Sequence, residues 1–352
     1  MKNKKLNTAD SRRSFLKKSA LAAGAVVAGV NAKDSKSSPA PRINKFSNAP
    51  APGTVLGAAD RLNVGFVGVG GQGFTHVRVA TNANGDFEPN HNYDLNSVGV
   101  AGCDLYQGRR ERVHSHLDGV RQARNLGGYQ VKTYKDHREM LDDKDIDVIF
   151  IGTVDHWHST IAIDAMDAGK HVYCEKPMTR YLGEAFDVYD KVKETGMKFQ
   201  IGSQYCSEAK WHKAAELVRA GKIGPATFAQ NSYMRNSPDG EWNYYQLDEG
   251  VTPETMDWEH WLGKVSNRPS FNREHYHRWR KYYRYCAGIM GDLLAHMIHP
   301  LIIAADVHEL PKRVVAIGNK TVTDMFVGAD DRSVDDNTQL LVEFPSGLCM
   351  LI

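Results

Sequence analysis

Three stretches of this sequence carry side chains of types and spacings that could do chemistry. "GIMGDLLAHMIHPLIIA", Gly288 to Ala304, has helical periodicity and presents Asp292, His296 and His299. Residues four apart share a helix face, so Asp292 and His296 sit together, with His299 three further on. Oxidising a carbinol carbon needs a base for the hydroxyl proton as hydride departs. His296 fits that task, and Asp292 is expected to set its tautomer and stabilise its cation. Asp292, His296 and His299 could also be satisfied core groups or metal ligands, but no further ligand is evident and no metal is expected.

The second stretch is "LNVGFVGVGGQG", where Gly68, Gly70 and Gly73 fit G-x-G-x-x-G and Gly71 and Gln72 fall inside the turn. Glycine permits the tight turn and the close backbone approach, and the amino terminus of a helix over Phe74 to Thr81 would then face a pyrophosphate. "SVGVAGCD", Ser97 to Asp104, reads as a buried strand ending in an acid, followed by a helix over Gln107 to Leu117. Asp104 there can accept from the adenosine ribose hydroxyls, which favours NAD, although a helix-capping role is the plainer alternative. Arg109 and Arg110 lie near enough to leave NADP open. The distance from the glycine turn exceeds the usual interval of roughly 20 residues, and a polar insertion from Asn82 to Asn96 accounts for the excess.

The third stretch, "KHVYCEKP", belongs to the elements that must position the other two. Strand signals at "IDVIFIGTV", "KHVYCEKP" and "KFQIGSQ" alternate with helix signals at Ser159 to Ala168 and Leu182 to Thr195. Near-continuous apolar strands between amphipathic helices predict an α/β fold with a doubly wound parallel sheet. Ligands of such sheets sit beyond the carboxyl ends of the strands. Thr153, His158, Glu175, Lys176 and Gln204 all fall at or just after those ends, which makes them candidate cofactor contacts. A lysine there can lose solvation, and its pKa then falls toward a range useful for proton transfer. Farther on, Pro225 to Arg235 reads as a strand. A polar and aromatic run follows, with Tyr244, Tyr245, Trp258, Trp261, Tyr276, Trp279, Tyr282 and Tyr283. A minority of these are expected to pack on sugar C–H faces, and the rest to fill the core. "KRVVAIGNKTV" and "NTQLLVEFPSGLCMLI" read as paired strands of a second, mainly antiparallel sheet.

With "GVGGQG", "TVDHWH" and "CEKP" in this order, the chain from Arg61 onward resembles the Gfo/Idh/MocA oxidoreductases. The resemblance implies a Rossmann domain followed by an α+β substrate domain, with Lys176 reaching both the nicotinamide and the reacting hydroxyl. It also implies the Asp292 and His296 pair as catalytic residues. Two departures stand out: Thr153-Val154 where the family usually has Thr-Pro, and no glycine run ahead of Asp292.

The sequence has 352 residues, with 44 Lys and Arg against 42 Asp and Glu, a net charge of +2. No large basic surface follows, so nucleic acid is a poor partner. Five cysteines at irregular spacing argue against a disulfide framework and a structural zinc. "SRRSFLKKSALAAGAVV" pairs Arg12 and Arg13 ahead of an uncharged run too short to span a membrane. It reads as a twin-arginine signal over residues 1–32, followed by a flexible tether over 33–60. The dinucleotide-binding domain is then expected over 61–205 and the substrate domain over 206–352, with the strand pattern cut at Ile352 as in a truncated frame. The expected protein is a periplasmic or secreted NAD(P)-dependent oxidoreductase acting on a sugar or polyol. It would have no membrane anchor in its mature form, and a homo-oligomer stays open. Export points to a cofactor held tightly and recycled within each turnover. A redox-neutral sugar-modifying enzyme and a non-catalytic sugar-binding protein are the alternatives.

Overall fold

A computed structural model of the chain describes residues 61–81, 96–235, 237–320 and 330–352, together with 325 and 328. The expected signal segment, the tether and all but the last residue of the polar insertion lie outside the described residues.

The apolar runs form six parallel strands: β1 (Leu62–Val67), β2 (Ser97–Cys103), β3 (Lys132–Tyr134), β4 (Val148–Ile151), β5 (His171–Glu175) and β6 (Phe199–Gly202). Their order across the sheet is β3-β2-β1-β4-β5-β6, the arrangement in which the chain reverses direction beside β1 and opens a crevice there. All of β2 is buried, as expected of a strand covered on both faces. The covering helices are α1 (Gly71–Thr81), α2 (Gln107–Ala123), α3 (His137–Leu141), α4 (Asp155–Asp167) and α5 (Leu182–Thr195). Val64, Phe66, Val77, Val113 and Leu117 form one apolar cluster, and Ile149, Ile151, Ile161, Ala165 and Met166 belong to another.

Several helix limits differ from the sequence reading. α1 starts at Gly71 rather than Phe74, and α4 at Asp155 rather than Ser159. Their first turns, Gly71-Gln72-Gly73 and Asp155-His156-Trp157-His158, carry no apolar stripe, so periodicity does not register them. α2 runs on past Leu117 to Ala123 with a polar second half.

After β6, α6 (Ala209–Arg219) leads to the second sheet, built from β7 (Phe228–Gln230), β8 (Arg313–Asn319), β9 (Asn337–Glu343) and β10 (Cys349–Leu351) in the order β7-β10-β9-β8. β8-β9 and β9-β10 pair antiparallel and β10-β7 parallel. The strand read over Pro225 to Arg235 shrinks to three residues. Between β7 and β8 lie α7 (Trp258–Leu262), α8 (Arg273–His277) and the helical run expected from Gly288. That run is not one regular helix. It begins with a π-helical turn, Met290–Leu294, and becomes α9 (Ala295–Ala304), inside which Pro300 removes the donor for the His296 carbonyl. α9 lies on the second sheet through Leu301, Val342, Phe344 and Met350. All five cysteines are free. No helix among the described residues is long and apolar enough to cross a membrane.

Candidate active site

The glycine turn follows directly from β1. Gly68 has φ +78°, a conformation a side chain rarely adopts, and its N–H donates to Cys103 O at 2.8 Å across the sheet. Gly73 does not line the cavity, contrary to its reading as a cofactor contact. A Cβ there would stand 1.8 Å from Gly68 O, so this glycine lets α1 press against the turn. At Gly71 a Cβ would meet nothing within 4 Å, leaving open space at the helix start.

Asp104 ends β2 and is buried. Its Oδ2 accepts from Val69 N at 3.0 Å and its Oδ1 from Tyr106 N at 3.0 Å. A carboxylate offers about four acceptor positions, so both oxygens keep capacity on the cavity that Asp104 lines. Arg109 lies 3.7 Å from Asp104 Oδ2 and 4.8 Å over the Tyr276 ring, while Arg110 turns to the Asp104 carbonyl at 2.7 Å.

Gly68, Gly70, Gly71, Gln72 and Asp104 line a single cavity of about 510 Å³ together with Thr153, His158, Glu175, Lys176, Gln204, Asp292 and His296. A glycine beside open space at the helix start, a buried acid with free acceptor positions and a cavity along the strand ends fit a dinucleotide.

Around Lys176 the contacts depart from the expected roles. Its Nζ donates to both Asp292 Oδ1 and Asp292 O at 2.6 Å. Asp292 Oδ2 meets Arg280 Nε at 3.2 Å. The reading in which Asp292 orients His296 is therefore corrected: the carboxylate faces Lys176 and Arg280 instead. The π-helical turn changes the angular step between Asp292 and His296, so four-residue spacing no longer implies contact. Burial raises the Asp292 carboxyl, but Arg280 and Lys176 outweigh it and hold it at about 2. His296 is buried among Tyr205 and Tyr233, with ring centroids at 5.7 and 5.9 Å, and its Nδ1 has no hydrogen-bond partner. Burial, assisted by the Lys176 charge, lowers its pKa to about 4, so the ring is neutral over most of the pH range. His299 pairs through Nδ1 with Ser203 Oγ at 3.0 Å. The three groups read as a metal alternative thus separate.

His158 and Glu175 reach the cavity mainly as struts. His158 Nδ1 faces Pro177 O at 2.7 Å and Nε2 faces Thr153 O at 3.2 Å, tying the ends of β4 and β5. Burial opposes charge on this ring, but Cys174, Asp155 and the Pro177 carbonyl outweigh it and raise its pKa to about 10. Glu175 accepts from Gln72 at 3.3 Å and meets His76 at 2.7 Å, which fixes α1 to the end of β5. Arg280, Asp155 and His76 were not singled out in sequence. Asp155 accepts from Ala287 N at 2.9 Å, and burial pushes its carboxyl up to about 6. His76 lies four residues beyond Gln72 on the same helix face, a spacing that could have found it. Arg280, inside "HRWRKYYRY", had no such signal.

Residues 62–203 match the family model described as the oxidoreductase family with an NAD-binding Rossmann fold, Gfo/Idh/MocA. The first domain is an NAD-binding Rossmann domain similar to those of the Gfo/Idh/MocA oxidoreductases. It binds NAD. The chain is 28% identical over 281 residues to an α-N-acetylgalactosaminidase of Shewanella oneidensis, a match covering 74% of this chain and 56% of that protein. It therefore spans a little over half the length of the curated relatives it matches. Among solved structures, levoglucosan dehydrogenase in complex with NADH superposes with TM-score 0.57 at 22% identity, over 83% of this chain and 66% of that one. Myo-inositol 2-dehydrogenase from Lactobacillus plantarum gives 0.55 at 18% identity, over 83% and 68%. At these identities the two structures speak to the fold, a parallel six-stranded sheet followed by a mainly antiparallel one.

Proposed function

We propose that this protein oxidises a hydroxyl-bearing carbon of a sugar or polyol, with Lys176 and His296 moving the proton. The observation that carries the reading is that one cavity holds Asp104 and the glycine turn at one part and Lys176, Asp292 and His296 at another. When bound, NAD supplies the hydride acceptor. An ammonium has three donors, and Lys176 commits two to Asp292, leaving one for a substrate oxygen. His296, neutral and without a protein hydrogen bond at Nδ1, can take the hydroxyl proton. Tyr233, Arg235, Tyr245 and Trp279 also line the cavity, and aromatic faces beside a guanidinium suit the C–H faces and hydroxyls of a sugar. Trp261, which also lines the cavity, stacks on Trp258 at 4.7 Å in an aromatic core.

A second reading is favoured by the relative named α-N-acetylgalactosaminidase. The same groups would oxidise a sugar transiently, permit elimination or epimerisation, and return the hydride. We propose further that "SRRSFLKKSALAAGAVV" directs twin-arginine export, which suits a cofactor retained and recycled inside the protein. The test is native mass spectrometry of the purified protein, followed by incubation with sugars and their glycosides. Retained NAD and its reduction by a sugar support the first reading. Turnover of a glycoside without accumulated NADH supports the second. Failure to bind NAD at all overturns both.

A further inference from the structure

The turn after β3, the first residue of α3 and helix α7 bring Asp136, His137 and His260 together, and both histidines line the same cavity. One carboxylate oxygen and one nitrogen from each imidazole lie within 4.8 Å of one another. We propose that these three side chains hold a divalent transition cation of the zinc class, which clips the turn before α3 to α7. Two imidazoles with one carboxylate are a borderline donor set that suits zinc, cobalt or nickel and is a poor match for magnesium or calcium.

The placement of the donors supports this. Asp136 Oδ1 and His137 Nδ1 are 3.5 Å apart, near the roughly 3.3 Å edge of a tetrahedron with bonds of about 2.0–2.1 Å. His137 is buried, and its far nitrogen, Nε2, meets Asp164 Oδ2 at 2.8 Å. A carboxylate on the far nitrogen keeps the proton there and turns the lone pair of Nδ1 toward the cluster, the arrangement that orients metal-bound imidazoles. The Trp157 ring stands beside both histidines, with centroids 5.8 Å from His137 and 5.4 Å from His260. Of the neighbouring cations, Lys135 pairs with Asp257 at 2.7 Å, while Arg138 shares the Asp136 carboxylate, its side chain on Oδ2 at 3.2 Å and its backbone N–H on Oδ1 at 2.9 Å, so a bound cation would have to compete with that guanidinium. His137 and His260 both line the cavity, so a fourth position on the cation would face water or a bound ligand.

The test is calorimetric titration of the chelator-stripped full chain with zinc, and absorption spectroscopy of the cobalt-loaded form. One equivalent should bind, and the cobalt spectrum should show tetrahedral nitrogen and oxygen ligation. Asp164→Asn should weaken binding by roughly 10- to 100-fold, the usual effect of losing a partner of a metal-bound histidine. His260→Ala should weaken it at least as much. His260 is only half-buried, so this variant keeps the proposal testable should a change at His137 prevent folding, with the near-ultraviolet dichroism of the aromatic core reporting the fold. His299→Ala should bind like the parent. Absence of saturable zinc binding, or an unchanged affinity in folded His260→Ala, would overturn the proposal.

Discussion

Lys176 and His296 differ in how the protein treats them, and the difference sets what each variant should do. Lys176 is tied down by two bonds to one residue, whereas His296 Nδ1 has none. Lys176→Ala and His296→Ala should each lower turnover by roughly 10²-fold or more, the worth of a positioned acid or base, with bound nucleotide retained. Unchanged turnover of a true substrate by His296→Ala would exclude it as the base. Because burial lowers the His296 pKa to about 4, the neutral base persists down to that pH. The acid limb of kcat/KM should therefore fall near pH 4, and a limb near the ordinary histidine value would show that another group takes the proton. Asp292→Asn should be more damaging than the sequence suggests, since it strips Lys176 and Arg280 of their shared counter-charge. Breaking a buried pair in this way costs about 3–5 kcal/mol, measurable as a drop in Tm. The parent draws stability from the Asp292 carboxylate above its unfolded pKa of about 3.9 and loses it as pH falls through about 2. Asp292→Asn should not show that acid loss. The glycine turn, Asp104, Lys176 and His296 were legible because each has a residue type and a neighbourhood that few roles share. The partner of Asp292 was not, since Lys176 is 116 residues away and local spacing sees only the four-residue neighbour.

Helices and strands were legible wherever an apolar period ran through them, as in α5, whose limits match the reading, and in β2, which ends one residue short of it. They were illegible where a turn or a short edge carries no stripe. β3 has three residues, none of them buried, and offers no pattern. The π-helical turn was hidden for a different reason: its residues have ordinary helical composition, and only the widened ring betrays it. The start of α1 gives a paired test. Gly73→Ala should force α1 from the turn, with a loss of about 1–3 kcal/mol or more from overpacking and with weakened NAD binding. Gly71→Ala meets open space and should leave Tm unchanged. Equal Tm values for the two variants would refute the packing role given to Gly73.

At the scale of the molecule, the parallel-sheet domain and the segment between β7 and β8 meet along a seam crossed by many polar contacts. His156 and Trp157 of α4 reach the Trp261 carbonyl at 2.9 and 2.8 Å, and Asp155 takes the Ala287 amide. Arg180 reaches the carbonyls of Tyr283 and Cys286, and Lys176 bonds Asp292. None of these pairings is readable from sequence, because most end on backbone carbonyls, which every residue supplies. Asp104→Ala should weaken NAD more than NADP, measured by equilibrium titration, since the loss falls on the ribose hydroxyls. An equal loss for both would make the carboxylate structural only.

The bond from Lys176 to Asp292 also has a consequence in time. The cavity is lined both by the ends of the parallel strands and by residues of the second domain, so a hinge motion that opened it would pull Lys176 from its counter-ion. Under the proposed function, nucleotide escape and proton transfer would thus exclude one another, since the Lys176–Asp292 grouping lasts only while the cavity stays closed. The residence time of the nucleotide should then shorten in Asp292→Asn even though that residue lies far along the chain from the glycine turn.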